Sequence, residues 1–272
     1  MYKIFDAHCH IYPDQIAHRA VEGIDRFYEN LPFEPYDGTT GTLSGVGSEA
    51  GISHYVVHSV ATAPHQVSSI NRYIADEVNL SKGVFTGLGT LHPDSGHQEQ
   101  DLNEIISLGL KGVKLHPDFQ KFEADSSRAM HIFELCAEAG IPVLVHTGDY
   151  RFDYSNPNRI ANVLRAFPTL KFIGAHFGGW SVWDEAAKIL ADFDNILVDT
   201  SSTFYAVGPE KGKELIRHWG AERVMFGSDY PMWHPQHDID CLMEMGLTEN
   251  EYCRIFWDNA ANVFGLKTAD KV

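Results

Sequence analysis

The sequence predicts an α/β fold, a (β/α)8 barrel running as one domain over residues 1–272, and three observations predict it. Short β-branched or apolar runs recur eight times along the chain, with helical patterns between them. The chain has 272 residues, and barrels of this kind commonly run to about 250 residues as one domain. Polar, chemistry-bearing side chains stand at the ends of nearly every run, where a barrel carries its active site. A doubly wound open sheet is the competing architecture, but eight strands and no G-x-G-x-x-G turn count against it.

The eight runs are 2–10, 52–61, 83–93, 110–117, 141–147, 170–176, 195–201 and 223–229. Helices are expected in "SSINRYIADEVNLS" and in "SRAMHIFELCAEAG", where apolar residues recur at i, i+3, i+4 and i+7 and Gly140 offers a C-cap. "DEAAKILADF" and "KGKELIRHWG" read the same way. The stretch 37–51, "DGTTGTLSGVGSEAG", lacks the G-K-[ST] ending of a phosphate loop and reads as a mobile connection with a weak helix. The tail "LTENEYCRIFWDNAANVFGL" reads as helix, with Thr248 or Asn250 as N-cap.

Composition narrows the partners. A formal charge of −16 disfavours nucleic-acid and anionic-membrane surfaces, which need clustered Lys and Arg. Four scattered cysteines without a C-x-x-C pair suit a reducing cytoplasm. "MYKIFDAHCH" has no long apolar segment, so no signal peptide is expected. No stretch approaches the ~20 apolar residues of a membrane span. A small molecule is the expected partner, with a homo-oligomer left open.

The strand ends are the informative part. Strand 1 ends in "DAHCH", and residues two apart on a strand share a face, so Asp6, His8 and His10 are expected to point to one place. Cys9 then points away, into packing. The other ends bring His58, His92, Lys114 with His116, His146, His176, Asp199 and Asp229. His116, His146 and His176 are spaced thirty residues apart, one βα unit each. His58 and His92 read as hydrogen-bonded structural residues. His8, His10, His146 and Asp229 come from strands 1, 5 and 8 and can converge on one cation, most simply Zn²⁺, with Mn²⁺, Fe²⁺ or Co²⁺ also matching the donors. Arg151 and Arg159 follow strand 5, where an arginine can clamp a carboxylate, though plain solvated arginines fit equally. Tyr12, Tyr150, Tyr230, Trp233 and His234 are lesser candidates for pocket walls.

In order, "DAHCHIYP", "GVKLHP", "VHTGD", "GAHFGG" and "FGSDYP" resemble the amidohydrolase superfamily, in its amidohydrolase-related (amidohydrolase 2) branch, over essentially the whole chain. The resemblance implies that His8, His10, His146 and Asp229 are metal ligands. It implies that His176 orients or deprotonates the attacking water, with Asp229 able to share the proton transfer. It also implies one metal and an unmodified Lys114, because the carbamylated lysine belongs to binuclear members. Lys114, His116, Arg151 and Tyr12 are expected to contact substrate. The glycine pair 178–179 after His176 is expected to leave room for it.

Three functions follow from this reading. The first is hydrolysis of a C–N or C–O bond in an amide, lactone or ester-like small molecule. The second is non-oxidative decarboxylation, or hydration, of a small carboxylic acid, which the same branch contains. The third is a non-catalytic metal-holding barrel, which the extra histidine at 176 disfavours.

Overall fold

The computed structural model describes residues 2–29, 31–32 and 35–266. All eight expected strands are present and parallel: β1 Ile4–His10, β2 Ile52–His58, β3 Phe85–Gly87 continued as Gly89–Thr90, β4 Val113–Leu115, β5 Val143–Val145, β6 Phe172–Gly174, β7 Ile196–Asp199 and β8 Val224–Met225. Each pairs with its sequence neighbours. Leu88 N bonds Val57 O at 3.0 Å and Gly89 N bonds Gly112 O at 2.9 Å, so β3 joins the two halves of the sheet. Ala7 N to Phe226 O at 2.8 Å and His10 N to Tyr230 O at 2.7 Å tie the last strand to the first and close the barrel.

Strand alternation divides the core. Val143 and Val145 of β5, Phe172 of β6, and Ile196 and Val198 of β7 pack outward against helix residues such as Ile132, Ile160 and Leu190. Leu144, Ile173 and Met225 point inward and form the barrel floor with Phe5, Val56 and the C-terminal residues Trp257 and Phe264. Lys114 pairs in register with Leu144 on one side and Thr90 on the other, so a lysine stands in the inward layer of the barrel.

The expected helices form over Val67–Leu80, Ser127–Ala139, Trp183–Leu190 and Phe204–Trp219, the last broken at Gly208 so that the expected segment is its second piece. Gly140 caps the second of these in the left-handed region, at φ 67°. Thr248, and not Asn250, caps the helix Glu249–Cys253, its hydroxyl accepting from Glu251 N in a capping box. The stretch 37–51 forms the helix Thr40–Glu49, started by Thr39. A helix outside the sequence expectation, α1 (Asp14–Phe27), precedes it, burying Ala17, Val21 and Ile24. None of the described helices is long and apolar enough to cross a membrane.

Candidate metal centre at the strand ends

The carboxyl ends of the strands deliver His8, His10, Lys114, His116, His146, His176 and Asp229 to the wall of one enclosed space of about 20 Å³. That is the volume of about one water molecule's centre, so the space suits a single small ion or water. Ile24 of α1 and Tyr28 just after it, with Phe119 and Met232, complete the wall.

A register irregularity in β1 between Asp6 and Cys9 re-aims the strand, as bulges beside active sites do. His8 and His10 face the space. Asp6, expected on their face, does not join them: its Oδ1 accepts from His8 N at 3.2 Å and Ser228 N at 2.9 Å, fastening β1 to the chain after β8. Cys9 is buried in the outer core, as the alternation predicts.

His8 is held on one side. Its Nδ1 lies 2.9 Å from Asp199 Oδ2 and 3.0 Å from Ser201 Oγ, which makes Nδ1–H the donor and leaves the Nε2 lone pair to the space. Nε2 meets Lys114 Nζ at 3.0 Å and Asp229 Oδ1 at 3.4 Å, and His10 Nε2 lies 3.4 Å from the same Asp229 oxygen. The other Asp229 oxygen accepts from the Ser202 hydroxyl, itself bonded by Trp233 Nε1 at 2.7 Å.

On the far side, His176 Nδ1 donates to the Ser201 carbonyl oxygen at 2.9 Å, so its Nε2 accepts from His146 Nδ1, also at 2.9 Å. His146 Nε2 is then a buried lone pair with no hydrogen-bond partner, 3.6 Å from Asp118 Oδ2. His146 stacks on His116 with centroids 3.9 Å apart, and His116 Nε2 meets the Tyr28 hydroxyl at 3.1 Å.

Burial is the largest influence on these imidazoles. It pushes His8 down to about 4 and His146 and His116 well below the usual histidine value, with neighbouring cationic groups adding to the effect. Neutral imidazoles are the form that binds cations. Burial, the largest single influence, raises Asp229 and Asp199, but His8 and His176 beside both, with hydrogen bonds from Ser201 to Asp199 and from His10 to Asp229, together outweigh it, holding Asp199 at about 2 and Asp229 well below the carboxylate range. Burial lowers Lys114 to about 8 against the pull of Asp229 and Asp199.

Backbone strain collects at the same place. His176 (φ 60°), Asp229 (φ 60°) and Ser202 (φ 43°) lie in the left-handed region, at about 1–2 kcal/mol each for non-glycine residues. Hydrogen bonds hold two of them there: His176 N to Asp199 Oδ1 at 3.0 Å and Asp229 N to His8 O at 3.0 Å.

Other expectations are corrected. His58 is not hydrogen-bonded: it is fully buried with neither nitrogen partnered, and it lies within metal-sharing distance of His8 and His10. His92 does serve structure, its Nδ1 accepting from Asp94 N. The glycines 178 and 179 leave no room for a substrate, because Cβ atoms there would meet Trp219 at 3.0 Å and Ala186 at 2.4 Å. Arg151 has its fork on Asp149 and donates to Phe27 O, away from the enclosed space. Arg159 is spent on Asp125 and Asp153. Tyr150 is 74% exposed. Tyr230 bonds Thr39 O, and His234 caps a helix through Gln236 N. Tyr12 lines a second, larger cavity that reaches His10. Asp199, Ser201, Asp118 and Tyr28 were given no role by the sequence reading; of these only Asp199 carried a signal, its place at a strand end.

The protein so built is a (β/α)8 barrel whose strand ends bring together histidines and carboxylates that could hold a divalent cation. The amidohydrolase family profile matches residues 5–266, and the chain belongs to that family. No curated protein matches the sequence. Among solved structures the chain is similar to an uncharacterised TIM-barrel protein from Bordetella bronchiseptica, at 21% identity and TM-score 0.81, covering 97% of this chain and 98% of that one. It is similar to 5-carboxyvanillate decarboxylase from Novosphingobium aromaticivorans, solved with bound manganese, at 15% identity, TM-score 0.76 and 97% coverage of both chains. It is also similar to a probable 2-pyrone-4,6-dicarboxylic acid hydrolase from Acinetobacter baumannii, at 17% identity and TM-score 0.68, covering 97% of this chain and 100% of that one. These likenesses establish the barrel, and the similar structures include decarboxylases and a probable hydrolase.

Proposed function

We propose that the protein is a metal-dependent hydrolase of a small-molecule amide, lactone or ester-like bond. The observation that carries the reading is the donor arrangement on the single-ion space: His8 Nε2 freed by Asp199, Asp229 Oδ1 shared between His8 and His10, and His146 Nε2 buried without a partner. His8, His10, His146 and Asp229 would hold one divalent ion, zinc by donor type, with manganese the competing ion because a solved relative holds it. Such an ion acidifies water and polarises a carbonyl oxygen.

The protein's own groups divide the remaining work. Asp229 is a charged anchor: one oxygen lies 3.4 Å from Nε2 of both His8 and His10 and the other accepts from Ser202, which leaves lone pairs with which it can share the proton transfer. His176, whose Nε2 accepts from His146 Nδ1 in this structure, would exchange that contact for the attacking water, take its proton and return it to the leaving nitrogen or oxygen as the C–N or C–O bond breaks. Lys114 supplies a buried positive charge beside the reacting group. We propose that it stays an amine, its Nζ 3.0 Å from His8 Nε2. A reducing cytoplasm and a small-molecule partner complete the proposal.

Lys114 also supports a second reading, non-oxidative decarboxylation, because a buried cation can draw a substrate carboxylate out of water. The two are separated by assaying the metal-loaded protein on aryl esters, anilides and lactones and, separately, on aromatic acids for CO₂ release. Metal content decides what they share. The protein purified without chelator should carry about one ion per chain, and His8→Ala and His146→Ala should lose it; unchanged content in both variants refutes the ligand set. His176→Asn should keep the ion and lose most turnover, and near-normal turnover would remove its proton-transfer role.

A further inference from the structure

Beside the single-ion space lies a much larger chamber of about 480 Å³, between α1 and α3 (Val67–Leu80) above the ends of β1 and β2. His10, Ile24 and Phe119 belong to the walls of both, so these three side chains form the partition between them. From the chamber side, Ile16, Ala20 and Gly23 of α1 face Ile70 and Tyr73 of α3. An apolar cavity of about 150 Å³ already takes a benzene ring, so this one has room for a ring and a tail.

The chamber's lining is uncharged: among the described residues no Lys, Arg, Asp or Glu lines it. Several of its polar groups, the Ser59, Ser69 and Thr62 hydroxyls and the Gln66 side-chain oxygen, are bonded to the protein itself. The Ser59 hydroxyl donates to Ile11 O, and the Ser69 hydroxyl donates to Gln66 O at 2.9 Å. The Gln66 side-chain oxygen accepts from Thr62 N at 2.8 Å, from Ala63 N at 3.1 Å and from the Thr62 hydroxyl at 3.1 Å. A charged group entering this space would lose its water without gaining a counter-ion, whereas apolar surface would gain.

We infer that the chamber receives an uncharged, apolar arm of the substrate, while its single carboxyl or carbonyl group passes the partition to the single-ion space beside Lys114. The substrate class is therefore a monoacid or its acyl derivative with a hydrophobic body, and not a diacid charged at both ends. This inference rests on the proposed use of the strand-end site, and Gly23 gives direct access to it. Gly23 lines the chamber, and a Cβ there would meet nothing within 4 Å, so a larger side chain can be placed at its rim without a clash at its base.

The test is calorimetric binding of benzoate, 4-butylbenzoate and terephthalate to the full-length, manganese-loaded protein, its Gly23→Leu variant and, as a second filling variant, Ala20→Leu. 4-Butylbenzoate should bind at least about 10-fold tighter than benzoate, and terephthalate no tighter than benzoate. Each filling variant that keeps wild-type circular dichroism should lose the butyl advantage while holding benzoate within about 3-fold, since a blocked chamber costs only the arm. Terephthalate matching 4-butylbenzoate, no binding by either monoacid, or an advantage that survives both variants would overturn the inference. Metal analysis of the same samples keeps the two claims apart. A wild type that retains no ion refutes the metal reading whatever the acids do. Retained ion without a butyl advantage refutes the chamber alone.

Discussion

His8 Nδ1 lies 2.9 Å from Asp199 Oδ2, joining the first strand to the seventh across 191 residues of chain. Asp199 is fully buried, and its other oxygen takes His176 N at 3.0 Å, Ser201 N at 3.1 Å and the Ser201 hydroxyl. One carboxylate thus fixes the tautomer of His8, the strained backbone of His176 and the serine between them. Its role is to position two functional histidines from behind.

Asp199→Asn therefore separates orientation from ligation. The amide keeps the size but loses the charge that favours Nδ1–H on His8. Metal affinity should fall by about 10–100-fold, the usual cost of removing a partner behind a ligand. Zinc or manganese titration of the metal-free protein would measure it, with His8→Ala as the full-loss reference. An affinity equal to wild type would show that Asp199 serves the fold alone.

His58 behaves differently. Its ring sits edge-on to His8 at 4.9 Å and to His10 at 4.5 Å, fully buried, with both nitrogens unpartnered. An unpaired buried polar group costs about 1–3 kcal/mol, and an apolar group of the same shape avoids that cost. His58→Phe should thus leave the metal-free protein as stable as wild type or about 1 kcal/mol more stable. The stabilisation gained on adding metal should shrink, because His58 lies with His8 and His10. Denaturant unfolding with and without manganese gives both quantities. A loss of more than about 1 kcal/mol in the metal-free variant would mean that His58 has a partner after all.

The contrast between these two residues marks how far the sequence could be read. The barrel was legible because each parallel strand, buried on both faces, must be short and apolar, and the intervening helices keep their own period. The site histidines were legible for a related reason: a polar residue ending an apolar run has one place to go in a barrel. What joins those residues was not legible. The Asp199–His8 contact and the Tyr28–His116 contact cross 191 and 88 residues, and no local pattern encodes either. The glycine pair at 178–179 misled, because a glycine's missing Cβ can admit a helix as readily as a substrate, and here Trp219 and Ala186 take the space. α1 was legible and overlooked: Ala17, Val21 and Ile24 have the helical spacing, but the glycine-rich segment after them drew the attention.

Asp238 offers a test of buried charge away from the metal site. It is 3% exposed in the helix Pro235–Glu244, with Oδ2 unpartnered and Oδ1 3.3 Å from His237 Nδ1. Burial raises its pKa from 3.8 to about 6, only partly offset by His237, while Asp229 adds to the rise. The folded state thus holds this proton more tightly than the unfolded chain. The stability this gives is fully present below about pH 4 and is lost as pH rises through about 6. Asp238→Asn keeps the size and cannot ionise, so it should gain on the wild type by on the order of 1–3 kcal/mol between pH 4 and 7. Guanidinium unfolding of both metal-free proteins across that range measures the difference. Parallel stability profiles would show that Asp238 titrates in the fold as it does in water.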